Sequence, residues 1–253
     1  MSGASWTLTL KNLFLPIFCQ SCGMRLLTDD NGFFCPTCWE ASRRIDRPFC
    51  TVCGRPQIVA VGMGGGSNFA CGPCSQLGAD RPIRRMFGPA VYREAIGEAI
   101  RLFKFYDKRR LAGPLAEVMV DFAEQEMETD FYTRIVPVPL YRVRERERGF
   151  NQALLLVRAI MKSFPSASLV GGLVRIRPTK VQSRLRSADA RRENVRGAFA
   201  VMNAEPFRGE RVLLVDDVVT TGGTVTECAR VLKAAGATSV DVFAAALSDS
   251  PIE

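Results

Sequence analysis

The stretch Val212-Leu-Leu-Val-Asp-Asp-Val-Val-Thr-Thr-Gly-Gly-Thr224 sets the fold expected of this chain. Its four leading branched aliphatic residues suit a strand buried on both faces, as in the middle of a parallel sheet. Two carboxylates, Asp216 and Asp217, follow where such a strand is expected to end. Val218 and Val219 then lead into Thr220, Thr221, Gly222, Gly223 and Thr224. From about Gly223 the spacing of Val225, Ala229 and Leu232 predicts a helix. Strand, acidic pair, Thr/Gly loop and helix start together make a phosphate site. The N–H groups of the loop and the first helical turn lack internal partners and point outward. Gly222 and Gly223 permit the close, left-handed backbone of such a cradle. The two acids lie too near the anion to attract it, and holding ribose hydroxyls, directly or through Mg²⁺ and its waters, suits them. An ordinary strand-turn-helix would leave adjacent acids at a buried strand's end without a ligand, which is costly.

Eight of the nine cysteines form four Cys-x-x-Cys pairs: Cys19/Cys22, Cys35/Cys38, Cys50/Cys53 and Cys71/Cys74. Each two-residue gap lets one turn present two thiolates to one tetrahedral ion, the pattern of zinc ribbons or knuckles. The chain has no histidine, so structural zinc must be held by cysteine alone. Sequential pairing puts one ion on the first four cysteines and a second on the last four. Cross-bracing of the first pair with the third is the alternative. An Fe–S cluster is the other metal option, and disulfides are disfavoured in a cytosolic chain. Four cysteines per ion leave no open position, so these sites are read as scaffold. Gly62–Ser67 reads as a tip inside the second unit, and the lone Cys228 as a small buried apolar residue.

At 253 residues the chain has room for a large domain and a small one, with the boundary expected near Arg81-Pro82. This gives a cysteine-rich unit over 1–80 and an α/β unit over 81–253. No apolar run reaches the length of a membrane span, and the N-terminus lacks the marks of a signal peptide. Cytoplasmic location without membrane insertion is therefore expected. The net charge of +8 is concentrated: residues 132–200 hold 15 Lys/Arg against 4 Asp/Glu. Two Cys₄ zinc sites would lower the total to about +4, so bulk charge says little about nucleic acid.

Helices are expected over Tyr92–Tyr106 and around Leu111–Phe122, and Lys104 on the first reads as a solvated surface lysine, with contact to a ligand as the alternative. Ile135-Val-Pro-Val-Pro139 reads as a short buried strand. After it, Arg142, Arg144, Arg146 and Arg148 read as an anion-binding loop before a helix through Leu154, Val157 and Ile160, with a solvated charged helix, its arginines alternating with Glu145 and Glu147, as the alternative. Further strands are expected at Leu173–Arg177, Ala198–Val201 and Thr238–Ala246. The polar, basic run Pro178–Gly197 suits a hood that closes over a polyphosphate.

The run into Asp-Asp and Thr-Thr-Gly-Gly-Thr resembles the 5-phosphoribosyl-1-pyrophosphate (PRPP) signature of type I phosphoribosyltransferases. That resemblance implies a parallel sheet flanked by helices, with Asp216 and Asp217 on the ribose and Val218–Thr224 around the 5′-phosphate. The whole order resembles the competence protein F (ComF) family more closely. The matching pieces are Pro16-x-x-Cys19-x-x-Cys22-Gly23, Leu102-Phe-Lys104, Val136-Pro-Val-Pro139, Arg148-Gly-Phe-Asn-Gln152, Lys180-x-Gln182-x-x-Leu185 and Arg191-x-x-Asn194-Val-x-Gly-x-Phe199. It implies a double zinc ribbon with two zinc ions, PRPP binding with Mg²⁺, and handling of incoming single-stranded DNA alongside the competence machinery.

Two functions are then in play. A Mg²⁺-dependent transferase would displace pyrophosphate from PRPP onto a base or amine, with Arg148, Arg177 and Lys180 facing the pyrophosphate. A binding module would keep the PRPP site and hold DNA on the basic segment, through Arg184, Arg186, Arg191 and Arg192, with stacking on Phe150, Phe164 or Phe199.

Overall fold

The computed structural model describes residues 16–26, 32–57, 68–78, 80–179 and 193–249. Lys180, Arg184, Arg186, Arg191, Arg192, most of the expected hood and the Gly62–Ser67 tip lie outside the described residues.

The central element is a strand, β8 (Arg211–Val219), whose residues from Val212 to Val215 are fully buried. It lies in a five-stranded parallel sheet of order β3-β9-β8-β4-β5. The partners are β3 (Met86–Phe87), β9 (Ser239–Leu247), β4 (Arg134–Pro137) and β5 (Ser168–Leu169). Burial on both faces explains the near-continuous apolar runs of β8 and β9. Helices α3 (Glu94–Phe105), α4 (Ala112–Glu126), α6 (Gln152–Ile160) and α7 (Gly223–Ala234) pack around the sheet with their apolar stripes inward. Pro114 sits in the first turn of α4, where no N–H is needed. Asn151 caps α6 by accepting from the Leu154 N–H.

Two expectations need correction. The acidic pair does not follow the end of β8 but lies within it, because β9 keeps pairing as far as Val219↔Leu247. On the other side β4 stops at Pro137↔Val215, so Asp216 is the first residue of β8 without a neighbour there. The chain proceeds from β4 outward to β5 and from β8 in the opposite direction to β9, so a crevice opens at this switch point. Second, the arginine-rich segment after β4 is a short helix, α5 (Arg142–Arg148), closed by Gly149 at φ +77°. Arg142, Arg144 and Arg146 are exposed on it, and only Arg148 turns inward.

Residues Leu173–Arg175 (β6) and Phe199–Val201 (β7) form a separate antiparallel ribbon, not part of the main sheet. The ribbon supports the two ends of the expected hood. Its return is tied down where Glu227 of α7 accepts the Gly197 N–H at 2.8 Å.

The cysteine-rich region carries β1 (Ile17–Phe18), β2 (Arg25–Leu26) and two short helices, α1 (Pro36–Glu40) and α2 (Gly72–Ser75). Its Cys19, Leu26, Phe34, Cys35, Ile45 and Phe49 belong to the same apolar cluster as the sheet core. Backbone bonds cross as well, from the Met86 N–H to Val52 O at 2.8 Å and from the Ile45 N–H to Pro89 O at 2.8 Å. Gly54 (φ +71°) lies so close that a Cβ there would meet Met86 O at 2.4 Å.

Candidate functional site

The loop after β8 turns through Gly222 at φ +81°, a left-handed position that glycine occupies without strain, and delivers Gly223 as the first residue of α7. A small cleft opens over it, lined by Asp216, Val218, Thr220, Gly222, Gly223 and Thr224 among others. Val219 is buried beneath, and the Thr221 hydroxyl is buried without a hydrogen-bond partner. An orphaned donor beside the loop and the start of α7 fits a phosphate oxygen.

Asp217 is buried, whereas Asp216 faces the cleft. Burial first, and the Asp217 charge second, push the Asp216 carboxyl up to about 8. Lys104 Nζ sits 2.8 Å from Asp217 Oδ1, so the lysine read as solvated is a member of the site. Arg148 donates to Gln152 Oε1 at 2.7 Å, and both Asp217 and Asp216 act on its guanidinium. Arg175, at the end of β6, is drawn to Asp216 in the same way, while burial disfavours its charge. Two further buried donors lack partners, Gln152 Nε2 and Arg175 Nε. Arg177 instead reaches back to the Arg196 carbonyl at 2.5 Å, bracing the two arms of the ribbon. The structure thus gathers Asp216, Asp217, the Thr/Gly loop and Arg148, adds Lys104, Gln152 and Arg175, and turns Arg177 toward the ribbon. Lys104 had one sequence signal, its place in Leu102-Phe-Lys104. Arg175 had none beyond its strand.

The shifted acid has a measurable consequence. Asp216 titrates near 8 in the fold against 3.8 as its ordinary value, so between these the folded protein binds the extra proton. Stability of the ligand-free protein should therefore fall as pH rises from about 4 to about 8. Denaturant melts across that range should show this slope, and Asp216→Asn should flatten it.

The eight paired cysteines form two sequential tetrads, Cys19/Cys22/Cys35/Cys38 and Cys50/Cys53/Cys71/Cys74, with each set of sulfurs mutually within 4.8 Å. This removes the cross-braced alternative. The Cys22–Cys35 and Cys53–Cys71 sulfurs are 3.8 and 3.9 Å apart. A tetrahedral Zn–S site of 2.3 Å bonds has an edge of about 3.8 Å. All eight are free thiols rather than disulfides. Backbone N–H groups of Cys53 and Cys71 point at Cys50 Sγ at 3.4 and 3.3 Å, favouring a thiolate there. The donor set fits zinc.

The second tetrad reaches the phosphate loop. Arg55, two residues past Cys53, donates to Thr220 O and Ser248 O, each at 2.9 Å. Ser248 closes the arrangement, its hydroxyl donating to Thr220 O at 3.1 Å and its N–H to Val219 O at 2.9 Å. The start of the loop is thus held from the cysteine-rich side.

Three aromatics considered for stacking on nucleic acid in the binding-module reading, Phe150, Phe164 and Phe199, are buried. Phe164 lies within an aromatic cluster with Tyr132 and Phe243, so its ring is core. Among the described residues no helix is long and apolar enough to cross a membrane.

Family models match a double zinc ribbon domain over residues 10–75 and a phosphoribosyl transferase domain over residues 155–251. Lys104, Arg148 and Gln152 fall between the two matches. DNA utilization protein YhgH of Escherichia coli K12 is 32% identical over 91% of this chain and 97% of its own. Competence protein F of Haemophilus influenzae is 31% identical over 91% and 96%. Competence protein ComFC of Bacillus subtilis is 28% identical over 83% and 82%. With both domains matched in order and relatives aligned nearly end to end, the chain belongs to the competence protein F family, a double zinc ribbon joined to a phosphoribosyltransferase domain.

Proposed function

We propose that the cleft at the β8–α7 junction binds PRPP together with Mg²⁺, and that the protein handles single-stranded DNA inside the cell. The observation that carries the first part is the set of buried donors without partners, Thr221 Oγ1, Gln152 Nε2 and Arg175 Nε, ranged around an acidic pair and a Thr/Gly loop. A ligand with a phosphate, a diol and a second polyphosphate group satisfies all of them. The loop N–H groups and Thr221 take the 5′-phosphate, and Asp216 and Asp217 take the ribose hydroxyls. Lys104, Arg148 and Arg175 face the pyrophosphate, Lys180 is kept as a further candidate for it, and Arg177, bound to the Arg196 carbonyl, is not. Mg²⁺ supplies charge neutralisation on the pyrophosphate oxygens. Residues 1–80 serve as a zinc-held scaffold for the unit over 81–253. The DNA role and a place beside the competence machinery rest on relatives named for DNA utilization and competence.

The cation cluster also favours a second reading, in which the family's transfer chemistry is retained. Lys104, Arg148 and Arg175 would offset charge on departing pyrophosphate. Incubation with PRPP, Mg²⁺ and a panel of bases and amines, assayed for pyrophosphate, separates the readings. PRPP binding without pyrophosphate release leaves a binding module. A protein that neither binds PRPP nor releases pyrophosphate contradicts both.

Lys104→Met tests the assignment of that lysine. It removes one charge-assisted contact, worth roughly 1.5–3 kcal/mol, so PRPP should bind about tenfold or more weakly. Ribose 5-phosphate, which has no pyrophosphate, should bind as before. Calorimetric titration of both ligands reads the difference, and equal losses would assign Lys104 to the ribose side instead.

A further inference from the structure

The last turn of α3 does two things at once. Lys104 pairs with the buried Asp217 of the acidic pair, while the next two residues, Phe105 and Tyr106, are 65% and 54% exposed. Among the described residues this is the one place where two large aromatics in sequence face solvent. The helix does not need them for packing, since its buried face is supplied by Ile96, Ile100, Leu102 and Phe103. Both rings lie beside guanidinium groups. Arg148 sits 5.7 Å from the Phe105 centroid and Arg101 sits 4.9 Å from that of Tyr106. Arg101 is itself fixed, by Glu98 and by a 3.0 Å bond to the Tyr106 hydroxyl. Arg109 flanks the same surface, stacked at 4.8 Å on the buried Phe150. The segment 101–110 carries five basic residues against Asp107 alone.

We infer that Phe105 and Tyr106 form a stacking platform for the bases of single-stranded DNA, with Arg101, Lys108, Arg109 and Arg110 taking its phosphates. The inference rests on the DNA reading above and gives it a location. Exposed aromatic rings beside cations match an unpaired strand, which presents base faces and phosphates in alternation. Duplex DNA hides its base faces, and an acidic protein partner would use the charges but leave the rings without stacked mates. Arg148 spans both sites, reaching toward the acidic pair from beside Phe105, so the platform opens beside the mouth of the PRPP cleft.

The test uses the full, zinc-loaded chain and a fluorescein-labelled oligo-dT of about 20 nucleotides, followed by anisotropy over a range of salt. Phe105→Ala/Tyr106→Ala should weaken binding roughly tenfold or more, because each stacked base contributes substantially. The salt slope should stay the same, since no phosphate contact is lost. Arg109→Ala/Arg110→Ala should instead reduce the slope, by about 0.7 per lost contact. PRPP binding should be unchanged in the aromatic variant, which also reports that it is folded. In a separate Phe105→Trp variant, indole fluorescence should be quenched by the oligonucleotide. If the wild type binds DNA and the aromatic double variant binds it equally well, the platform is overturned while the DNA reading survives. If the wild type binds no single-stranded DNA, both fail. Tighter binding of duplex, or of the matching RNA, overturns the assignment to single-stranded DNA.

Discussion

Replacing Asp216 and Asp217 together by Asn is expected to abolish PRPP binding while leaving the fold intact. Asn keeps the shape of each side chain but removes the charge from both acceptors facing the ribose hydroxyls. Each charge-assisted hydrogen bond contributes roughly 1.5–3 kcal/mol, so the pair accounts for a loss of at least a hundredfold, by about 3 kcal/mol or more. Asp216→Asn by itself should raise the stability of the ligand-free protein. The carboxyl of Asp216 is held up to about 8 by burial and by its neighbour's charge, and Asn relieves both. Single-stranded DNA affinity should be unaltered or slightly raised, because negative charge is removed beside the basic face. Calorimetry with PRPP and anisotropy with DNA, on the same preparation, check both halves. Loss of DNA binding in a folded, zinc-loaded double variant would mean that one site serves both ligands.

The second large effect concerns the metal tetrad nearest the loop. Cys50→Ser/Cys53→Ser should lower the zinc content from two per chain to one. Because structural zinc supplies about 10–16 kcal/mol of apparent binding free energy, the knuckle that carries Arg55 should then come apart. Thr220 O and Ser248 O lose their guanidinium partner, and the loop start is no longer held. PRPP affinity should fall steeply although every residue from Asp216 to Thr224 is unchanged. Arg55→Ala is the companion variant: it keeps both ions and should lose about tenfold, in line with two hydrogen bonds to a partly buried charge. Elemental analysis together with PRPP titration reads the outcome. A one-zinc protein with full PRPP affinity would show that the contact is only structural.

What could be read from the chain itself follows the locality of the signals. The apolar run at Val212–Val215, the adjacent acids and the Thr/Gly loop are contiguous, and so they placed β8, the cleft and α7 without any tertiary knowledge. The cysteine pairs were equally local, but their grouping into sequential tetrads needed the fold. Lys104, Arg175 and Arg55 act across long separations, and apart from Leu102-Phe-Lys104 nothing in their immediate neighbours distinguishes them from surface charges. Lys104 becomes a site residue only because α3 ends against β8. The Arg142–Arg148 segment misled for a different reason. Its alternating Arg and Glu carry no apolar periodicity, so a largely exposed helix looks like a loop until Gly149 and the Gly149 N–H bond to Glu145 O are seen. Phe150 and Phe199 stood beside basic residues in sequence, yet their rings turn inward under Arg109 and Arg175. The exposed aromatics lie elsewhere, one helical turn past the core face of α3.

Titration of Mg²⁺ and PRPP into the zinc-loaded wild-type chain tests the central claim most directly, with ribose 5-phosphate and pyrophosphate as separate comparison ligands. The account predicts one PRPP per chain, weaker binding when Mg²⁺ is left out, and weaker binding still for either fragment, since each satisfies only part of the cleft. A folded, two-zinc protein that takes up no PRPP, or binds pyrophosphate alone as tightly as PRPP, would contradict it.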